Sequence, residues 1–206
     1  MSELRVALTF DAEHPSRTGS GPDSPQRILD TLAAGGLRAT FFVQGRWATA
    51  YPELARRVAG DGHVVGNHSN YHAPMTLLLE EGFGVDVQEA EQRIQETAGT
   101  DPRPWFRCPF GAGADRPDVL ARLGRLGYRN VHWNVDAGDW QANADPAGVV
   151  ATVMDGVRTR GDRAVVLLHT WSLATAEALP TFLDHLRATG ASLVTVEELA
   201  DVRVTP

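Results

Sequence analysis

Short runs of consecutive apolar residues alternate along the chain with longer stretches in which apolar positions recur every three or four residues. The first pattern is that of strands buried on both faces and the second that of helices packed along one stripe, so the chain predicts an α/β fold with parallel strands. Strands are expected at residues 5–10, 39–43, 63–65, 105–107, 128–135, 164–169 and 192–196. The helix after the first strand is expected to take Ser24 as N-cap and Pro25 as its first residue, to bury Ile28, Leu29 and Leu32, and to stop at Gly35-Gly36. Further helices are expected at residues 51–59, 85–97, 117–126, 146–159 and 176–188, and Gly60, Gly99, Gly127 and Gly190 stand as stops. About seven β/α units follow one another with no linker-like break, which predicts a single domain over residues 1–206 and favours a closed or nearly closed barrel over an open sheet.

The polar residues that break this pattern sit at its most informative points. Asp11, Arg107, Asp136 and His169 fall at or just beyond the C-terminal ends of expected strands, the edge at which α/β folds place their sites. In NHSNYHAP, His68 and His72 are four apart. On a helix they would share one face, where two imidazoles can hold a divalent ion or simply form hydrogen bonds at a polar helix start. Ser69 stands where a zinc protease of the HExxH type needs glutamate. In TFDAEH, Asp11 and Glu13 share a side of an extended chain, able to bind metal, to activate water or to cap a turn.

RCPFG places Arg107, whose planar fork can hold a carboxylate, before a turn whose amides can face an oxyanion or merely close a loop. Cys108 reads as a small buried residue. His169 follows the apolar run AVVLL and can act as acid or base if Asp139 tunes it, or can be a satisfied core histidine. Trp133, Trp140 and Trp171 lie near these motifs as core residues or as a surface for a sugar ring.

Composition narrows the field. Among 206 residues, 43% are apolar and 22% charged, ordinary for a soluble globular protein. A formal net charge of −7 and scattered arginines (Arg56, Arg57, Arg93, Arg122, Arg125, Arg158 and Arg160), read as solvated helix faces, argue against nucleic acid as a partner. With one cysteine there is neither an intrachain disulfide nor a cysteine-rich zinc cage, so any metal falls to histidine and carboxylate. No run spans a bilayer and the N-terminus lacks the features of a secretory signal, so a cytoplasmic protein without a membrane partner is expected.

The order TFD, HSxxH, RxPFG, DxxDW and LxH, from Thr9 to His169, resembles the polysaccharide deacetylase family, also called carbohydrate esterase family four. The resemblance implies a distorted (β/α) barrel with about seven parallel strands and metal-dependent removal of the N-acetyl group from an amino sugar. It implies that Asp11 is the base, that His68 and His72 bind the metal, and that Arg107 orients Asp11. The Phe110 amide would stabilise the oxyanion, Asp139 would tune His169, which protonates the amine, and Trp140 and Leu167 would line the acetyl pocket.

The chain departs from the family at Ala12, where the third metal ligand, an aspartate, is usual. Glu13 is expected to replace it, with His14 as a lesser substitute. Phe110 stands where the family more often has tyrosine. One zinc ion is the expected cofactor, since zinc suits histidine and carboxylate; cobalt, nickel or manganese could take the same ligands. The expected substrate is an N-acetylated amino sugar in a chitooligosaccharide, a peptidoglycan-type glycan or a glycosylated metabolite. Two rival readings are an allantoinase-like opening of cyclic amides, for which Ala12 poses no obstacle, and an inactive relative that binds sugar.

Overall fold

The computed structural model describes residues 4–13 and 23–199, and His14 lies outside them. The strands are β1 (Arg5–Ala12), β2 (Thr40–Val43), β3 (Val64–Asn67), β4 (Trp105–Phe106), β5 (Arg129–Asn130), β6 (Val135–Asp136), β7 (Ala164–His169) and β8 (Ser192–Val194). The helices are α1 (Ser24–Ala34), α2 (Gly45–Ala50), α3 (Pro52–Gly60), α4 (Glu80–Ala98), α5 (Pro117–Arg125), α6 (Pro146–Arg160) and α7 (Leu173–Ala188). The strands hydrogen-bond in the order β5-β4-β3-β2-β1-β7-β6, and β8 lies beside β1. The α/β class and the count of about seven parallel strands expected from the pattern are both found. No helix among the described residues is long and apolar enough to cross a membrane.

The chain divides into two compact units. The first contains residues 4–10, 23–40 and 133–199. In it β1 pairs in parallel with β8, Val6 opposite Leu193, and β6 pairs with β7, Asp136 opposite Leu167. Helix α7 packs against α1 and α6, and Leu29, Leu32, Val153, Leu179, Phe182 and Leu186 fill the layer between them and the strands. The second unit contains residues 11–13 and 41–132. There β3, β4 and β5 pair in parallel, and α2 and α3 pack on α4. Met75, Phe83, Val87, Phe106, Cys108, Val119, Leu123 and Tyr128 form one apolar cluster.

Several expectations need correction. Helix α1 is capped by Asp23 rather than Ser24, which is buried as the first helical residue. Helix α2 has no counterpart among the expected elements, since it is six residues long and opens on glycine. Its first amide, Gly45 N–H, donates to Ser69 O, a long-range partner that the local pattern does not reveal. The single strand expected over 128–135 is two short strands with different neighbours, β5 pairing with β4 and β6 with β7, and between them the Val131 carbonyl accepts from the Arg107 side chain. Arg122 is largely covered rather than solvated: its guanidinium lies 4.0 Å over the Phe83 ring and donates to Leu78 O.

Candidate active site

In the second unit, the C-terminal end of β1 delivers Asp11 and Glu13 to one side, while Ala12 between them is buried. Strand β3 ends at Asn67, and His68 follows directly. The loop beyond it is not the helical start expected from the four-residue spacing. Ser69 and His72 both adopt left-handed backbone, with φ of 62° and 59°, and this turn carries the two imidazoles together. Their Nε2 atoms are 3.1 Å apart.

The Glu13 carboxylate closes the triangle. Its Oε2 lies 3.1 Å from His68 Nε2 and in direct contact with His72 Nε2. All three residues are buried, and one ligand atom from each lies within 4.8 Å of the others. His68 Nδ1 is 2.9 Å from the Arg107 carbonyl, which can only accept, so that nitrogen carries the proton and Nε2 turns its lone pair to Glu13. Two electron-rich atoms facing each other at this distance need a cation or a proton between them. Burial opposes charging of His68, but the Asp11 and Glu13 carboxylates hold its pKa above the ordinary value. Such a buried histidine-carboxylate set, with one imidazole fixed by a backbone carbonyl, fits a divalent ion.

Asp11 stands beside this cluster, its Oδ2 3.4 Å from His68 Nε2. Its other oxygen accepts from Arg107 Nη1 at 2.8 Å. Arg107, fully buried directly after β4, also donates through Nε to Val131 O and lies 4.1 Å over the Phe42 ring. Burial pulls its pKa down and Asp11 opposes that pull, so the guanidinium keeps its charge and holds Asp11 in one orientation. Phe110 lies in a 3-10 turn with φ 58° and ψ 11°, and its largely exposed ring meets the His72 ring edge-on at 4.5 Å. Cys108 is buried as expected, and burial pushes its thiol up to about 12, which excludes a thiolate nucleophile near neutral pH.

In the first unit His169 is the last residue of β7, and Asp139 holds it twice. Asp139 Oδ1 lies 2.7 Å from Nδ1, and Oδ2 accepts the His169 backbone N–H at 2.8 Å. The Thr175 hydroxyl also donates to Oδ2, and Ser172 Oγ donates to the Asp139 carbonyl. The imidazole is thereby fixed with Nδ1 on the carboxylate. Asp136 serves the turn: it accepts from Gly138 N–H at 2.8 Å and from the Trp140 indole at 3.2 Å. Trp140 is half exposed, whereas Leu167 is buried within β7.

Sequence reasoning missed the residues that hold the histidine loop. Asn67, Gln44, Asp86 and Glu89 all bond to it or to its flanks. A signal for Asp86 was present, since it interrupts the apolar stripe Phe83, Val87, Ala90 and Ile94 of α4 and is itself buried.

Residues 1–131 match the family described as polysaccharide deacetylase. The chain is 28% identical over 197 residues to the peptidoglycan-N-acetylmuramic acid deacetylase PdaA of Bacillus subtilis (strain 168), covering 96% of this chain and 72% of that protein. It is 34% identical over 167 residues to a chitooligosaccharide deacetylase of Rhizobium leguminosarum bv. trifolii, covering 81% and 72%. Among solved structures it is similar, with a TM-score of 0.84 and 29% identity over 97% of this chain and 68% of the other, to a mutant of BA3943, a CE4 family pseudoenzyme, with restored enzymatic activity.

Proposed function

The chain belongs to the polysaccharide deacetylase family, and we propose that it removes the N-acetyl group from an N-acetylated amino sugar with one divalent metal ion held by Glu13, His68 and His72. The observation that carries this reading is the buried convergence of those three ligands beside the Asp11–Arg107 pair. Zinc is the proposed ion, with cobalt, nickel or manganese able to use the same ligands. A divalent ion held there supplies Lewis acidity to the amide carbonyl and to water. Asp11, oriented by Arg107, takes a proton from the water whose oxygen bonds to the acetyl carbon. The Phe110 amide stabilises the oxyanion. The C–N bond then breaks, and His169, held by Asp139, gives a proton to the departing nitrogen, so acetate and a free amine result. Trp140 and Leu167 are proposed to line the acetyl pocket.

Chitooligosaccharides and peptidoglycan fragments are the proposed substrate class, supported by the names of the two curated relatives. The second reading, sugar binding without turnover, is prompted by the likeness to a pseudoenzyme. Against it stand Asp11, Arg107, His68 and His72, which are all present and in mutual contact. Metal analysis and acetate release decide between them. The parent is expected to carry about one ion per chain and to release acetate, and Asp11→Asn to keep the ion while losing at least ~100-fold in turnover. A metal-loaded parent that binds chitooligosaccharide and releases no acetate would establish the second reading.

A further inference from the structure

The loop that presents the two histidines has an unfavourable backbone for its residue types. Ser69 and His72, neither of them glycine, both have positive φ, and such residues persist there only when their surroundings over-determine them. The surroundings are supplied mainly by α4. The Tyr71 N–H donates to Asp86 Oδ1 at 2.9 Å, and the Asn70 N–H and the Ser69 hydroxyl face the same carboxylate. Ser69 in turn accepts the His72 N–H on its oxygen at 2.9 Å. The Ser69 hydroxyl, which faces Asp86, thus also holds the backbone of His72. The same helix holds the flanks: Glu89 accepts from the Asn70 side chain, and the Val87 carbonyl accepts from Asn67, whose own oxygen takes the Ser69 N–H.

We propose that Asp86 is a positioning residue for metal binding: by accepting the Tyr71 N–H, with its buried carboxylate facing Ser69 and Asn70, it holds the left-handed turn that sets His72 against His68 and Glu13. It touches none of the three ligands' side-chain donor atoms and acts through the backbone. This rests on the metal reading above. An uncharged replacement of the same size can keep one oxygen on the Tyr71 N–H, but it removes the charge and turns a donating nitrogen toward Ser69 and Asn70.

The test is cobalt(II) titration of the whole chain, with a competing chelator, following the d–d absorption of the bound ion, beside thermal unfolding without metal. Asp86→Asn is expected to weaken cobalt binding by roughly 10- to 100-fold and to alter the absorption band. Val87→Ala on the same helix is the control, expected to lower Tm while leaving the affinity and the band unchanged. If Asp86→Asn does not yield folded protein, Asp86→Glu, which displaces the charge by one methylene, is titrated instead with the same expectation. Cobalt affinity within twofold of the parent in the folded Asp86 variant, whatever its Tm, would overturn the proposal. A parent that takes up neither cobalt nor zinc would instead overturn the metal reading on which it rests.

Discussion

Asp139 meets three donors with two oxygens: the His169 Nδ1–H, the His169 N–H and the Thr175 hydroxyl. Only a carboxylate can accept from all of them, so the residue is a stricter requirement than a partner for one histidine would be. In Asp139→Asn the amide nitrogen must face at least one donor, and the imidazole loses either its tautomer or its orientation. Turnover is expected to fall roughly 100-fold or more, with metal content unchanged, as read by kcat and elemental analysis side by side. Unchanged kcat would remove His169 from the reaction. At this scale much was legible in the sequence. Asp11, Arg107 and His169 each interrupt, follow or end an apolar strand, and a polar group buried there needs a partner. Glu13 was legible too, since the extended chain puts it on the side of Asp11 and leaves Ala12 on the other.

The elements were less evenly legible, and the histidine loop shows why. Spacing of four is the signature of a helix face, yet here a loop with two left-handed residues brings the imidazoles together just as closely. Neither position is glycine, and although Asn67 and Ser69 each accept a nearby N–H, further partners lie on α4 and at Gln44, far along the chain. The same dependence hid α2, whose opening amide is bonded to the loop. Packing of α2 on α4 is close enough to test. A Cβ on Gly45 would come within 2.8 Å of the Ala90 Cα and 2.5 Å of the Asn70 side-chain oxygen. The first neighbour is backbone and cannot swing aside, so the helices must separate or the loop must shift. Gly45→Ala is expected to cost about 1–3 kcal/mol of stability, measured by denaturant unfolding, even though alanine is the better helix former. A stabilised variant would show that α2 is free to move on α4.

For the whole molecule, the three-ligand cluster links metal binding to folding. Glu13 and Asp11 are two buried carboxylates, of which Asp11 is paired with Arg107, and His68 brings a lone pair rather than a charge to Glu13 when neutral. Without a metal ion the folded state therefore buries two carboxylates whose charge must be offset within the protein, for instance by a proton drawn to His68, a cost that the solvated unfolded chain does not bear. An ion bound only by the folded protein adds RT ln(1 + [L]/Kd), about 2.7 kcal/mol at a hundredfold excess over Kd. In a chain of this size each kcal/mol moves Tm by roughly 2–4 °C, so saturating zinc or cobalt is expected to raise Tm by several degrees and a chelator to reverse the gain. Glu13→Ala separates this from non-specific metal binding. It deletes the carboxylate that contacts both imidazoles, so the variant should lose the metal-dependent rise. Its metal-free Tm should move little, because the change removes a buried carboxylate together with the imidazole contacts it makes. A variant that keeps the full metal-dependent rise would take Glu13 out of the ligand set.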